Sequence, residues 1–328
     1  MSGERRGTVA AIVPCYNGAR FVGEAVASAL AQTYRAVEVV VVDDGSTDGI
    51  EAALAPYRGR IALIRQENAG CAAARNRGLA ATRAPFVAFL DADDRWHPEK
   101  VERQMALLAG DEGLCLVHTR IRYVDAAGRP LPREGKRPPP AASAADVRRE
   151  LAGRNWLTIS SVLVRREALE ADGEGFAPGL WGCEDWDLWL RLVERGRFGF
   201  IDLPLVDYRV HDSNMSRSDE PMLRSSIAVL DRALARERDP RVLGAAGRHR
   251  RRLLAALAHR AYDRGDLATA RANFRRAGRG LGAAGLVRLA AAYLPSPVRP
   301  AARGLWRSLR RGLGLEGHAG KEREGQAT

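Results

Sequence analysis

The strongest constraint in this sequence is a set of short runs, apolar on both faces, that end abruptly in polar residues. TVAAIV at 8–13, VEVVVV at 37–42, IALIR at 61–65 and PFVAFL at 85–90 lack the strict alternation of a half-wet strand. Between them the spacing predicts a helix over 20–32, with Phe21, Val22, Ala25, Val26 and Leu30 on its apolar positions, and another over 71–82. Strands buried on both faces and separated by helices make a mostly parallel sheet covered on both sides, so the expected class is α/β. Polar residues gather after the carboxyl ends of these strands, where open α/β sheets bind ligands.

Beyond residue 110 the pattern is less regular. Strands are expected over 114–124, 159–164 and 198–203, short helices over 146–153 and 184–194, and a turn over 125–128. Residues 126–145 hold Pro130, Pro132 and Pro138 to Pro140 and read as a mobile surface loop. After Asn214 the pattern is helical, broken at Pro240, near 278–285 and at Pro295, Pro297 and Pro300. HRAYDRGDLATARANFRRA at 259–277 has the spacing of one tetratricopeptide-like hairpin. A single such repeat cannot bury its own face. The expected organisation is therefore a main domain over 1–218, with halves 1–110 and 111–218, carrying an Arg-rich helical appendage over 219–328.

Charge is unevenly spread. The 328 residues have a formal net charge of +12, yet residues 225–328 carry 22 Lys+Arg against 8 Asp+Glu, which leaves the first 224 slightly acidic. Ala301 to Leu315, AARGLWRSLRRGLGL, sets Leu305, Trp306 and Leu309 beside several Arg. Two readings stay open for it: a helix lying on an anionic membrane surface, or one docked on the main domain. Nucleic acid is not expected as a partner, because the tail has few aromatics and no binding motif. Cys15, Cys71, Cys115 and Cys183 form no C-x-x-C pair, which fits reduced thiols in the cytoplasm. The N-terminal apolar run is cut short by Pro14, Tyr16 and Asn17, so no signal peptide is expected, and no stretch approaches the length of a membrane span.

Two acidic strings carry chemistry. Asp91, Asp93 and Asp94 follow a buried strand, and three carboxylates in four residues repel one another unless a cation or solvent offsets them. An all-oxygen set of this kind suits Mg²⁺ or Mn²⁺, with Asp94 also placed to cap a helix. Asp43 and Asp44 end another strand, with Gly45 allowing a sharp turn; carboxylates there can accept from a nucleobase N–H or a ribose hydroxyl. G-x-x-x-x-G-K-[ST] does not occur, and G-x-G-x-x-G occurs only at 280–285 and 312–317, after no expected strand, which argues against the dinucleotide fingerprint and the P-loop.

IVPCYNGARFVGEAVASALAQTY, VEVVVVDDGSTD, ENAGCAAARNRGLA, FVAFLDADDRWHPEK and CEDWDLWLRL occur in this order, and from about residue 9 to 216 the chain resembles the family 2 glycosyltransferases. The resemblance implies a Rossmann-like GT-A fold, an inverting transfer from a nucleotide-diphospho-sugar, a UDP-sugar first among donors, and a sugar or lipid-linked sugar acceptor. It also implies work in cell-surface polysaccharide or glycolipid synthesis, in the cytoplasm or on the inner face of the cell membrane. By position it puts Pro14, Tyr16 and Asp44 around the base, and Asn68, Gly70, Arg75 and Asn76 near the nucleotide, with Arg75 equally open to a structural ion pair. Asp93 would hold the metal, Asp91 would face the ribose or a metal-bound water, and His211 would lie near the metal or serve the fold. Asp185 would be the general base, although Glu184 and Asp185 also suit a helix dipole. The alternatives are a nucleotidyltransferase, which would need a basic triphosphate loop that VPCYNGARF lacks, and a non-catalytic nucleotide-sugar-binding scaffold.

Overall fold

The computed structural model describes residues 7–139, 143–212, 214, 219–278 and 283–293. The chain divides into two compact units, Met1–Ala246 and Gly247–Thr328. In the first, β1 (Val9–Cys15) is buried at all seven positions and lies between β2 (Val37–Asp43) and β4 (Phe86–Phe89), with β3 (Ala62–Arg65) outside β2. These four strands are parallel; β1, β2 and β4 are largely buried, whereas β3, expected to be covered on both faces, is mostly exposed. On the β4 side the β1 ladder ends where Ile12 O accepts from Leu90 N at 3.0 Å, so Pro14 has no strand partner to disappoint there.

Beyond β4 the sheet becomes mixed. β8 (Val162–Arg165) runs antiparallel to β4 and to β6 (Leu114–Val124). β9 (Arg197–Arg209) is parallel to β6, and the two-residue β5 (Arg95–Trp96) closes that edge against β9. Residues 130–134, expected as loop, instead form β7 (Pro130–Glu134), which pairs only with β6. An edge strand tolerates Pro130 and Pro132 because their missing N–H groups deprive no second neighbour. β9 runs well past the expected end at 203; register shifts near Arg120 take in Pro204, so the proline interrupts the ladder without ending the strand. At 159–161 a 3₁₀ turn precedes β8 where continuous strand was expected.

Helices cover the sheet. α1 (Val22–Leu30) buries Val22, Ala25, Val26 and Ala29, the expected face, and α2 (Ile50–Leu54) adds Ile50 and Leu54. α3 (Cys71–Ala80) approaches β1 so closely that a Cβ on Gly78 would lie 2.5 Å from Ile12 Cγ2. α4 (Lys100–Gly110) turns polar side chains inward: Gln104 Nε2 donates to Val117 O and Ser161 O, each at 2.8 Å, while buried Lys100 donates to Gln104 Oε1 and lies 4.1 Å from the Trp96 ring centroid. Burial holds the Lys100 ammonium far below its ordinary pKa. The short α5 (Ala144–Gly153) and α6 (Arg166–Asp172) support α7 (Glu184–Leu192), and α8 (Asp219–Arg236) packs on α7, extending the first unit past 218. All four thiols are unpaired, and burial pushes those of Cys15, Cys115 and Cys183 up to about 12.

The second unit begins within α9 (Pro240–Asp263) and continues through α10 (Leu267–Ala277) and α11 (Ala283–Ala291). Gly265, at φ +83°, makes the expected hairpin turn, and Asp266 caps α10 by accepting from Thr269 N. The hairpin does not stand alone: Ala291 and Ala292 join Ala258, Ala261, Tyr262, Ala270 and Phe274 in one core. The 301–315 pattern lies outside the described residues. Among the described residues no helix is long and apolar enough to cross a membrane.

Gly78 fixes the distance between α3 and the central strand. Replacing it with Ala improves helix propensity by about 1 kcal/mol but drives a methyl into a stiff β-branched side chain, a type of overpacking that costs about 1–3 kcal/mol. Gly78→Ala is therefore expected to lower the midpoint of denaturant unfolding; an unchanged or higher midpoint contradicts this packing.

Candidate active site

The carboxyl ends of β1 and β2 carry two loops that are stitched together. Asn17, the sole non-glycine with positive φ among the described residues (+50°), donates its N–H to Ser46 Oγ at 2.9 Å and accepts from Thr47 N at 2.9 Å. Ala19 N reaches Asp48 Oδ2 at 2.7 Å. Pro14 lies inside β1, and Tyr16 just beyond it is 55% exposed, which leaves its ring available at this edge. Buried Asp44 faces the other way: Gln66 Nε2 (2.7 Å) and Ala69 N (2.9 Å) donate to Oδ1, and Gly70 N (2.8 Å) to Oδ2. It thereby pulls in the loop that bears Asn68, whose side chain is exposed.

After β4 the chain turns through the acidic string. Ligand oxygens of Asp91, Asp93 and Asp94 lie within 4.8 Å of one another. The arrangement is held from several sides. Ser160 Oγ accepts from Asp91 N (3.1 Å) and donates to Asp94 Oδ2 (2.6 Å), while its carbonyl accepts from Trp96 Nε1 (2.8 Å). Arg209 N donates to Asp94 Oδ1 (3.0 Å), and its Nε to Asp93 O (2.8 Å). His211 Nε2 lies 2.9 Å and Asn214 Nδ2 3.2 Å from Asp93 Oδ2, and the His211 ring packs on Phe21. Burial, followed by the charge of Asp91, pushes the Asp93 carboxyl above its ordinary pKa; burial and both neighbours push Asp94 further.

This donor set fits a hard divalent cation, because carboxylates crowded in a half-buried turn leave negative charge uncompensated within the chain. Asp94 spends its oxygens on Ser160 and Arg209, so Asp91 and Asp93 are the pair placed to face an ion. His211 reaches the same group through Asp93.

α7 supplies the facing wall. Trp186 Nε1 donates to Leu151 O (2.8 Å) and ties the helix to α5. Asp187, fully buried, meets Arg191, Arg232 and Arg236, and Arg191 also pairs with Asp172. With its far side so anchored, the first turn presents Glu184 and Asp185. Asp185 accepts from Trp186 N (2.6 Å), and its pKa is raised to about 7, chiefly by burial and then by the charge of Glu184.

Arg75 joins the two walls. Its NH2 bonds Asp91 Oδ1 at 2.7 Å and its NH1 bonds Glu184 Oε1. The neighbouring Asn76 holds Phe176 at both backbone groups, donating at 2.8 Å and accepting at 2.9 Å. Of the expected site residues, the structure thus brings Asp91, Asp93 and His211 together, links them through Arg75 to the turn that holds Asp185, and sets Pro14 near the end of β1 and Tyr16, Asp44 and Asn68 on the loops at the adjoining strand ends. Sequence reading missed Ser160, Arg209 and Asn214. The signal for Ser160 was a polar pair inside an otherwise apolar strand pattern; Arg209 and Asn214 flank the His211 that was noticed.

Residues 10–171 match the family model described as Glycosyl transferase family 2. An uncharacterized glycosyltransferase of Rickettsia typhi is 30% identical over 216 residues, 64% of this chain and 66% of that protein. The chain thus spans just under two thirds of that relative's length. The fold is similar to that of S. aureus TarS 1–349 in its complex with UDP-GlcNAc, with a TM-score of 0.62 at 19% identity, covering 90% of this chain and 86% of that one. It is also similar to a Pyrobaculum calidifontis mannosyltransferase in complex with GDP-Man and Mn²⁺, at 0.55 and 23%, covering 90% and 83%. The architecture is the GT-A type expected from the sequence, with a C-terminal helical region.

Asp185 makes a signed prediction about stability. A carboxyl whose folded pKa is about 7 against an ordinary value near 3.8 binds protons more readily folded than unfolded. Its contribution is therefore largest below pH 4, falls as pH rises towards 7, and is flat above. Relative to Asp185→Asn, the parent should lose stability between pH 4 and 7 in denaturant titrations; a pH-independent difference contradicts the raised pKa.

Proposed function

We propose that this protein is an inverting, metal-dependent glycosyltransferase that moves a sugar from a nucleotide-diphospho-sugar to an acceptor hydroxyl. The observation that carries the reading is the single guanidinium of Arg75, which ties the acidic turn after β4 to the first turn of α7 and so sets a cation-suited carboxylate pair beside a carboxylate poised near neutrality. The similarity to structures solved with UDP-GlcNAc and with GDP-Man and Mn²⁺ supports the donor class, with a UDP-sugar first.

In this reading Tyr16, Asp44 and the 66–70 loop receive the nucleotide at the ends of β1 and β2, and Asp91 and Asp93 hold Mg²⁺ or Mn²⁺. Such an ion offsets the charge that grows on the departing diphosphate. Asp185 accepts the acceptor's hydroxyl proton as that oxygen bonds to the anomeric carbon from the face opposite the diphosphate. The carbon–oxygen bond to the diphosphate breaks in the same displacement, which inverts configuration. General-base help of this kind is worth roughly 10² to 10⁴ in rate. A pKa of about 7 lets Asp185 be ionised before the reaction and still hold the proton after it. The acceptor is a sugar or lipid-linked sugar in polysaccharide or glycolipid synthesis, met at the inner face of the membrane.

Two measurements test the reading. Asp93→Asn should abolish Mn²⁺-dependent binding of the nucleotide sugar in calorimetry; affinity that is equal with and without metal removes the cation from the mechanism. Asp185→Asn should bind donor normally and lose at least about 10²-fold in transfer, while the parent rate rises along an acid limb centred near pH 7, as a required base demands. Transfer by the variant at the parent rate would make Asp185 a helix-terminal acid and nothing more.

A further inference from the structure

Arg75, on α3, is almost wholly buried. Its two terminal nitrogens are spent on carboxylates of two different elements, Asp91 after β4 and Glu184 on α7. The price is visible at Nε, which is buried without a hydrogen-bond partner among the described residues. Its guanidinium lies 5.4 Å from the centroid of the Phe176 ring, which meets Phe89 edge-on at 5.1 Å. Asn76 grips the backbone of the same Phe176, and the preceding Gly175, at φ +65°, leaves room for it, since a Cβ there would stand 2.8 Å from Asn76 Oδ1. Two consecutive residues of α3 therefore fasten the segment leading into α7, the α7 terminus and the acidic turn to one rigid element.

We propose that Arg75 is a positioning residue: through Asp91 and Glu184 it holds the cation-facing turn and the first turn of α7 in one register, so that its loss impairs transfer and leaves nucleotide binding largely intact. The proposal rests on the reading of Asp185 as the base. It departs from the expectation that Arg75 binds nucleotide, because both of its terminal nitrogens already face carboxylates. The planar fork is what makes the bridge; an ammonium is a point charge that cannot present the same two parallel arms.

Register and charge are linked here. The groups facing Asp185 are Glu184 on its own helix, Arg75 from α3, Asp91 from the turn, and the thiols of Cys71 and Cys183. Arg75 favours the ionised Asp185 and Glu184 disfavours it. Removing one half of the ion pair or the other must therefore move Asp185 in opposite directions, which a loss of mere scaffolding would not do.

The test uses the full chain and needs no knowledge of the true acceptor. The Asp185 carboxyl is titrated by carbon-13 NMR in the parent, Arg75→Lys, Arg75→Gln and Glu184→Gln, with Mn²⁺ absent, and thermal unfolding checks that each is folded. Arg75→Gln should raise the Asp185 midpoint by about one pH unit and Glu184→Gln should lower it by about as much. Arg75→Lys, which keeps the charge without the fork, should shift it less. UDP release from UDP-N-acetylglucosamine with Mn²⁺ then separates the roles: Arg75→Lys should lower kcat about tenfold or more with KM within about twofold. A tenfold rise in KM at unchanged kcat, or an Asp185 midpoint that moves in neither Arg75→Gln nor Glu184→Gln, overturns the proposal. If Arg75→Gln does not fold, Glu184→Gln decides the electrostatic half. Failure of the base reading shows separately, as retained transfer by Asp185→Asn with the NMR shifts still present.

Discussion

Gathering Asp91, Asp93, Asp94, Glu184 and Asp185 into one partly buried cleft is electrostatically unfavourable, and the rest of the first unit is arranged around that fact. Like charges in a medium less polar than water repel strongly, and each carboxylate also loses hydration. Arg75 meets two of them, Ser160 and the Arg209 amide satisfy Asp94, and His211 with Asn214 meets Asp93. What those partners leave uncompensated is expressed as raised proton affinity at Asp93, Asp94 and Asp185. In the proposed reading, the same uncompensated charge that burdens folding is what attracts a cation and readies a base.

Much of this was legible in the sequence because it is local. The apolar runs at 8–13, 37–42 and 85–90 gave strands close to their true limits, since burial on both faces leaves little choice of side chain. The acidic strings at their ends followed for the same reason, polar residues having no place inside. The second half of the sheet was harder. β7 and the long β9 contain prolines that read as breaks, and only pairing geometry distant in sequence shows that an edge and a register shift absorb them. Position could place Arg75 near the cleft, but its partners lie 16 and 109 residues away, and no periodicity encodes that.

The support behind α7 shows how a charged first turn is afforded a fixed direction. Asp187 sits wholly inside, where an unpaired carboxylate would be very costly, and three arginines from α7 and α8 surround it. Trp186 adds a hydrogen bond to α5. Such a buried charged set contributes little net stability compared with an apolar one of the same shape, but it admits one rotation of the helix and rejects its neighbours. That rotation is what turns Glu184 towards Arg75.

Asp44 has a different kind of rigidity. Its carboxylate accepts three hydrogen bonds from Gln66, Ala69 and Gly70, and two oxygens offer about four acceptor positions. Among the described residues one position, on Oδ2, is left for anything else. A group so tethered cannot swing to suit whatever enters, and it can take one further N–H or O–H from one direction. In the proposed reading it acts as a gauge with a single slot: a ring that offers a donor at that point is accepted without any side chain having to be ordered, and one that offers a lone pair there meets a carboxylate that cannot retreat.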